Sequence, residues 1–208
     1  MLCSEFNNYF YMRIEEIKVL GKTGRVRVTL DDGTVFPLYK GELNRYHLME
    51  GDELSEDAYN HIVEETLLER AKNRAAYLLQ KSDRTESNLR QKLKEGYYPD
   101  NVIDRTISML KEYGYVDDLE YAKSYIRTYE ASKSRKVISM KLMEKGVKKE
   151  TIEEAFESEY HTDETEIIKN LLEKRHYSKE TADRKEREKT IRYLLGRGFS
   201  YDSFSDYI

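Results

Sequence analysis

Three leucines set the frame of this sequence. Leu93, Leu142 and Leu194 lie 49 and 52 residues apart, each in a similar setting: Leu89-x-x-x-Leu93-x-x-Gly96, Ile138-x-x-x-Leu142-x-x-x-Gly146 and Thr190-x-x-x-Leu194-x-x-x-Gly198. A spacing of four places each pair on one face of a helix, and a glycine just beyond is the common left-handed stop. After each glycine come an apolar residue and a further helix, expected over 101–113, 150–158 and 202 to the end. Before each motif another helical pattern runs, over 71–81, 119–131 and 164–175. The sequence therefore predicts three consecutive units of three short helices. A period near fifty does not fit the two-helix solenoids of about 34 residues, and tight turns between short helices resemble helix-turn-helix units. So small a unit buries its apolar faces poorly alone, and neighbours are expected to stack. With 38% hydrophobic and 37% charged residues the interior must be thin, which suits an elongated body.

The corner between the first and second units is the sharpest local signal. Leu110 is followed four residues later by Gly114, as where a helix stops, and Asp117 stands three residues before Glu120, the acidic form of a capping box. Apolar residues then recur at Leu119, Ala122, Ile126 and Tyr129 with helical spacing.

Upstream, the pattern changes. Residues 1–12 have no period and read as a loose arm. Val26, Val28 and Leu30 alternate with Arg25, Arg27 and Thr29, the mark of a half-buried strand. Asp31-Asp32-Gly33 reads as a hairpin turn, Thr34–Leu38 as the returning strand and Ile14–Leu20 as a third. Pro37 places its strand at an edge or near its own end. A three-stranded sheet needs a helix against it, and Gly41–Met49 is the expected cover. A long helix capped by Ser55 then runs to Lys81, roughly 40 Å at 1.5 Å per residue. The fold class is thus mainly α: tandem three-helix, helix-turn-helix-like repeats forming an elongated curved rod, with a small N-terminal antiparallel sheet. The expected division is 1–54, 55–116, 117–160 and 161–208, the last unit divergent across the charged segment 174–189.

The net charge of −4 gives no global attraction for nucleic acid, but the charge is uneven. Residues 121–149 hold nine basic side chains against Glu130 and Glu144, while residues 1–60 hold seven basic and eleven acidic. A basic middle and an acidic start make a directed surface. No apolar run reaches the ~20 residues of a membrane span. The N-terminus shows no basic-then-apolar leader, which predicts a cytoplasmic protein. Cys3, the single cysteine, excludes an internal disulfide and a cysteine-rich zinc site.

Three stretches together resemble the RecX family, bacterial regulators of the RecA recombinase. Leu89–Ile103 is similar to the family's first helix pair, Tyr113–Arg127 to its most specific signature, and Leu142–Val147 to the second unit. The likeness is densest over residues 60–160. In the first unit Gly96 comes one residue early, with Tyr97 where the family usually has glycine. The resemblance implies a non-enzymatic protein without cofactor, binding RecA and its filament on DNA. It would lie in the filament groove and restrain recombination, ATP hydrolysis and co-protease activity, with DNA itself a second partner of some members. It places the protein in DNA repair and the SOS response.

The candidate contact residues are Lys123, Arg127, Lys133, Arg135, Lys136 and Lys141. Lys123 and Arg127 are four apart and share a helix face, and the next turn adds Lys133, Arg135 and Lys136; a groove that shows DNA phosphate would attract such a cluster. The plainer reading is a solvated face. Asp117 and Asp118 read as helix-start residues, not as an acid–base or metal pair. Tyr121, Tyr125 and Tyr129 read as core packing with hydroxyls at the rim, in preference to base stacking. His47, His61, His161 and His176 lack ligand spacing, no glycine loop cradles a phosphate, and no nucleophile stands with a base, so no catalytic, cofactor or metal residue is assigned. Three functions remain open: a monomeric regulator on RecA filaments, a helix-turn-helix array acting on DNA directly, and a helical adaptor for another protein.

Overall fold

The computed structural model describes residues 11–208, in two compact units. The first comprises the described residues up to Arg84 together with Asn88–Val116; the second comprises Thr85–Ser87 and Asp117–Ile208.

In the first unit four antiparallel strands, β1 (Tyr11–Leu20), β2 (Arg25–Leu30), β3 (Val35–Tyr39) and β4 (Glu53–Ser55), lie in the order β3-β2-β1-β4. The alternation on β2 does what its spacing predicts: Val26, Val28 and Leu30 are buried and the residues between them are half exposed. Pro37 lies on edge strand β3, as its missing N–H requires. Three expectations are corrected. The sheet has a fourth strand, too short for a period to show. Tyr11 and Met12 are not part of a loose arm; they pair with Ser55 and Leu54, while residues 1–10 lie outside the described residues. The helix within 41–49, α1 (Lys40–Tyr46), buries no residue fully and is not the main cover. That role falls to the long helix, which runs as α2 (Glu56–Ile62), a π-helical stretch (Val63–Leu67) and α3 (Leu68–Lys81). Tyr59 of α2 meets Phe36 edge to face at 5.6 Å. Ser55 caps α2 through its side chain, as expected. Then follow α4 (Glu86–Lys94) and α5 (Asp100–Glu112). One apolar core runs from Ile14, Val28 and Phe36 through Leu67 and Ala71 to Leu89, Leu93 and Ile107.

The second unit holds α6 (Asp118–Tyr129), α7 (Arg135–Glu144), α8 (Lys149–Glu159), α9 (Glu164–Lys174), α10 (Arg184–Leu195) and α11 (Tyr201–Phe204), with a closing 3-10 turn (Ser205–Tyr207). Asp117 caps α6, its Oδ1 accepting from the N–H of Leu119 (2.8 Å) and Glu120 (3.1 Å). The expected capping box is not closed, because the Glu120 carboxylate turns to Lys123 instead. In the charged segment 174–189, Asp183 caps α10, and Arg187 donates to the Ile208 carbonyl at 3.0 Å. Ile126, Leu142 and Phe156 centre one core; Ile168, Leu194 and Phe204 centre the next. Tyr160 packs on both.

One joint occurs twice in this unit. Ser134, the buried cap of α7, donates its N–H to the Arg197 carbonyl (3.0 Å) and its hydroxyl to the Gly198 carbonyl (2.9 Å). Thr85, also buried, donates its hydroxyl to the Lys145 carbonyl at 2.6 Å. In both places the end of one helix is held by the start of another. The glycine there has a left-handed backbone, φ 82° at Gly146 and 90° at Gly198. A Cβ on Gly146 would strike Ser87, and one on Gly198 would strike Val137 and Ser134. The matching turn after α4 lies in the first unit, where the Gly96 carbonyl accepts from the Arg25 guanidinium of β2. The left-handed position there is Tyr97, φ 64°.

Gly198→Ala should therefore lower stability by roughly 2–5 kcal/mol, combining left-handed strain with overpacking. Gly114→Ala, at φ 70° with nothing within 4 Å, should lose only the strain, roughly 1–2 kcal/mol. Paired denaturant melts check the difference; equal losses would remove the steric account of the joint.

Burial, reinforced by Glu164 and Glu130, pushes the Tyr160 phenol up to about 12; burial, with a smaller push from Asp32, does the same for Tyr59. Both folded values exceed the ordinary one near 10, so the stability they confer is complete below about pH 10 and is lost between about 10 and 12. Absorbance titration should show a late tyrosinate phase coinciding with alkaline unfolding. Tyr160→Phe should move that unfolding to higher pH.

Candidate partner-binding surface

Lys123, Arg127, Lys133, Arg135, Lys136 and Lys141 all lie in the second unit, on α6, on α7 and in the turn between them. They divide by what faces them. Lys123 Nζ lies 3.0 Å from Glu120, Arg127 lies 3.0 Å from Glu159, and Lys141 Nζ lies 2.7 Å from Glu144. Hydrogen bonding to Glu120 holds the Lys123 ammonium above its ordinary pKa, and Glu144 does the same for Lys141. Two of these carboxylates, Glu120 and Glu159, fall just outside the 121–149 window that gives the local excess of charge. The fold brings them back to it.

The other three cations meet no such acid. Lys133 Nζ lies 4.3 Å above the Tyr129 ring and the Arg135 guanidinium 4.6 Å above Phe156, both cation–π contacts that leave the charge in place. Lys136 is exposed, with no carboxylate within ion-pair distance among the described residues. Arg135 and Lys136 occupy the first turn of α7, where the positive end of the helix dipole opposes them. Every other α-helix described carries an acid in its first turn; α7 carries none, and Glu164 of α9 accepts from the Arg135 N–H at 3.2 Å in its place.

Sequence reasoning passed over two neighbours of this cluster. Met140 and Met143 are 45% and 50% exposed, on the side of α7 opposite buried Ile138 and Leu142. With Lys136 they follow at intervals of four and three, making one solvent-facing stripe. Their signal was present in the second apolar set on α7, but Ile138 and Leu142 already account for the core and hide it. Flexible methionine beside a cation suits contact with a protein surface.

The remaining candidates behave structurally. Asp117 caps α6, and Asp118 Oδ1 accepts from the Glu86 N–H at 2.8 Å. Tyr121, Tyr125 and Tyr129 pack partly buried against the Ile126–Leu142 core, as their spacing predicts. Among the described residues no three His, Cys, Asp or Glu side chains are placed to hold a metal ion, and no helix is long and apolar enough to cross a membrane.

A sheet followed by successive three-helix units, with contact chemistry spread on a helix face, defines a tandem helical-repeat protein. Residues 71–110, 117–155 and 162–208 match the first, second and third three-helix domains of RecX. Regulatory protein RecX of Caldanaerobacter subterraneus subsp. tengcongensis is 31% identical over 194 residues, 92% of this chain and 96% of that protein. Regulatory protein RecX of Clostridium perfringens is 31% identical over 186 residues, 86% of this chain and 85% of that protein. A crystal structure of regulatory protein RecX is 28% identical, covers 93% of this chain and 97% of its own, and superposes with a TM-score of 0.57. RecX from Lactobacillus salivarius, also 28% identical, covers 67% and 93% with a TM-score of 0.56. The chain belongs to the RecX family of regulatory proteins.

The two groups of cations should differ under mutation. Lys136→Glu, which puts an acid in the first turn of α7, should hold stability or raise it by roughly 0.3–1 kcal/mol. Arg127→Glu, which sets two carboxylates side by side, should cost on the order of 1 kcal/mol. Thermal melts of both variants at low salt test the distinction.

Proposed function

We propose that this protein binds the RecA recombinase and its filament on DNA, and restrains recombination, ATP hydrolysis and co-protease activity in DNA repair and the SOS response. The observation that carries this reading is the Lys133, Arg135 and Lys136 cluster, kept against the α7 dipole beside exposed Met140 and Met143. A nucleoprotein filament offers what such a surface needs: DNA phosphate for the cations and apolar protein for the methionines. In this reading the protein is a cytoplasmic monomer, needs no cofactor and catalyses nothing. Its four parts, 1–54, 55–116, 117–160 and 161–208, act along one polymer, where several weak contacts reinforce each other by effective concentration. Lys123, Arg127 and Lys141 stand at the margin of the contact, since each must exchange an internal carboxylate for an external partner.

The decisive measurement is ATP hydrolysis by the recombinase on single-stranded DNA, with and without this protein. The expected result is a dose-dependent fall. The triple variant Lys133→Glu/Arg135→Glu/Lys136→Glu should remain folded, by circular dichroism and a cooperative melt, and lose most of that effect. Full inhibition by a folded triple variant would remove the surface from the mechanism. A second reading, direct binding of DNA, draws on the same cluster at the start of a helix in a helix-turn-helix-like unit. It requires DNA affinity without recombinase that falls steeply with salt.

A further inference from the structure

A second set of cations lies in the first unit and takes no part in the surface above. Arg25 on β2, Arg70 and Arg74 on α3 and Lys92 on α4 wall a cleft of ≈ 550 Å³, together with Tyr39 and Tyr98. All three arginines line the same cleft as the buried Tyr98 phenol, and each draws its pKa down against the larger upward push of burial. Two of the four cations have acids. Arg70 is ion-paired with Glu42, and Lys92 Nζ lies 2.7 Å from Glu95. The other two do not. Arg25 donates to the neutral Gly96 carbonyl, and Arg74 lies 5.8 Å from the Tyr77 ring. Neither has a carboxylate within ion-pair distance among the described residues. Arginines from two elements thus line one cleft with incomplete neutralisation. That arrangement costs stability by like-charge repulsion unless an anion completes it.

We propose that this cleft is a binding site for a phosphate group, held by Arg25, Arg70 and Arg74. Phosphate matches the donor set: several oxygens around one centre accept in parallel from planar guanidinium forks, and charge-assisted bonds of this kind are the strong ones. Lys92 adds a point charge at the rim. The volume exceeds what a bare phosphate fills and lies within the range of small-molecule sites, so room remains for the body that carries the phosphate. That body is either a small phosphorylated molecule or a nucleic-acid strand; the phosphate chemistry is common to both. The proposal does not draw on the recombinase reading and stands or fails apart from it.

Pyrophosphate is the probe. Calorimetric titration into the full chain, at constant ionic strength, should show one saturable site and a rise in melting temperature that sodium chloride does not reproduce. Arg74→Gln removes an exposed side chain with no ion pair and relieves the repulsion, so the unliganded variant should melt at or slightly above the parent protein. It should bind pyrophosphate roughly tenfold to a hundredfold more weakly, as expected for loss of a charge-assisted contact. Arg25→Lys, which keeps the charge but loses the fork, should weaken binding less. No heat beyond the salt control, or unchanged affinity in Arg74→Gln, would overturn the site. Competition identifies the source. Displacement by an unphosphorylated single-stranded oligonucleotide assigns the site to strand phosphate. Displacement by adenosine diphosphate but not by the oligonucleotide assigns it to a small molecule.

Discussion

The hydrogen bond from the Ser134 hydroxyl to the Gly198 carbonyl, with its counterpart from Thr85 to Lys145, is the contact on which the helical part depends. A helix leaves its last carbonyls and first amides without internal partners. Here one element's unsatisfied end is met by another's beginning, so a single buried hydroxyl settles both. The geometry permits this only because the glycines carry no Cβ and adopt a left-handed backbone. Three-helix units of about fifty residues have little core of their own, and within the second unit such a joint ties the start of one helix to the end of another. In the first unit the guanidinium of Arg25 takes the place of the serine hydroxyl at Gly96. The left-handed residue of that turn is Tyr97, where the two joints have glycine.

Much of the fold was legible because its signals are local and periodic. Leu93, Leu142 and Leu194 marked the repeats; Val26, Val28 and Leu30 marked the central strand; Asp117 marked the start of α6. What escaped was either short or distant. Strand β4 has three residues, too few for alternation to register. The role of α1 was misjudged because closeness in sequence to the sheet does not decide which helix covers it. The joints unite residues 60 and 64 positions apart, which no local pattern encodes. The candidate site was half legible. Counting charge along the chain found the basic segment, but only the fold sets Glu159 beside Arg127 and leaves Lys136 bare. Met140 and Met143 were invisible for a different reason: an apolar residue on a helix reads as core until burial shows otherwise.

Electrostatics in this chain are settled locally more than globally. The excess of acid over base is small for the whole sequence, and many surface cations close on a carboxylate three or four residues away, as in Lys92–Glu95, Lys141–Glu144 and Arg184–Glu188. Such pairs contribute little to stability in water. Their effect is to cancel field where they form, so that a cation without such a partner, Lys136 among them, counts for more to an approaching anion.

The long helix beneath the sheet carries a quieter solution to a problem of phase. Tyr59, Val63, Leu67, Ala71 and Ala75 are all buried and recur every four residues. A regular α-helix completes its turn in about 3.6 residues, so such a row would wind away from its target by about 40° at each step. The wider winding over Val63–Leu67 absorbs part of that drift at mid-length. A single rod can then face strands with one half and helices with the other, acting as a gear that couples two lattices of different pitch.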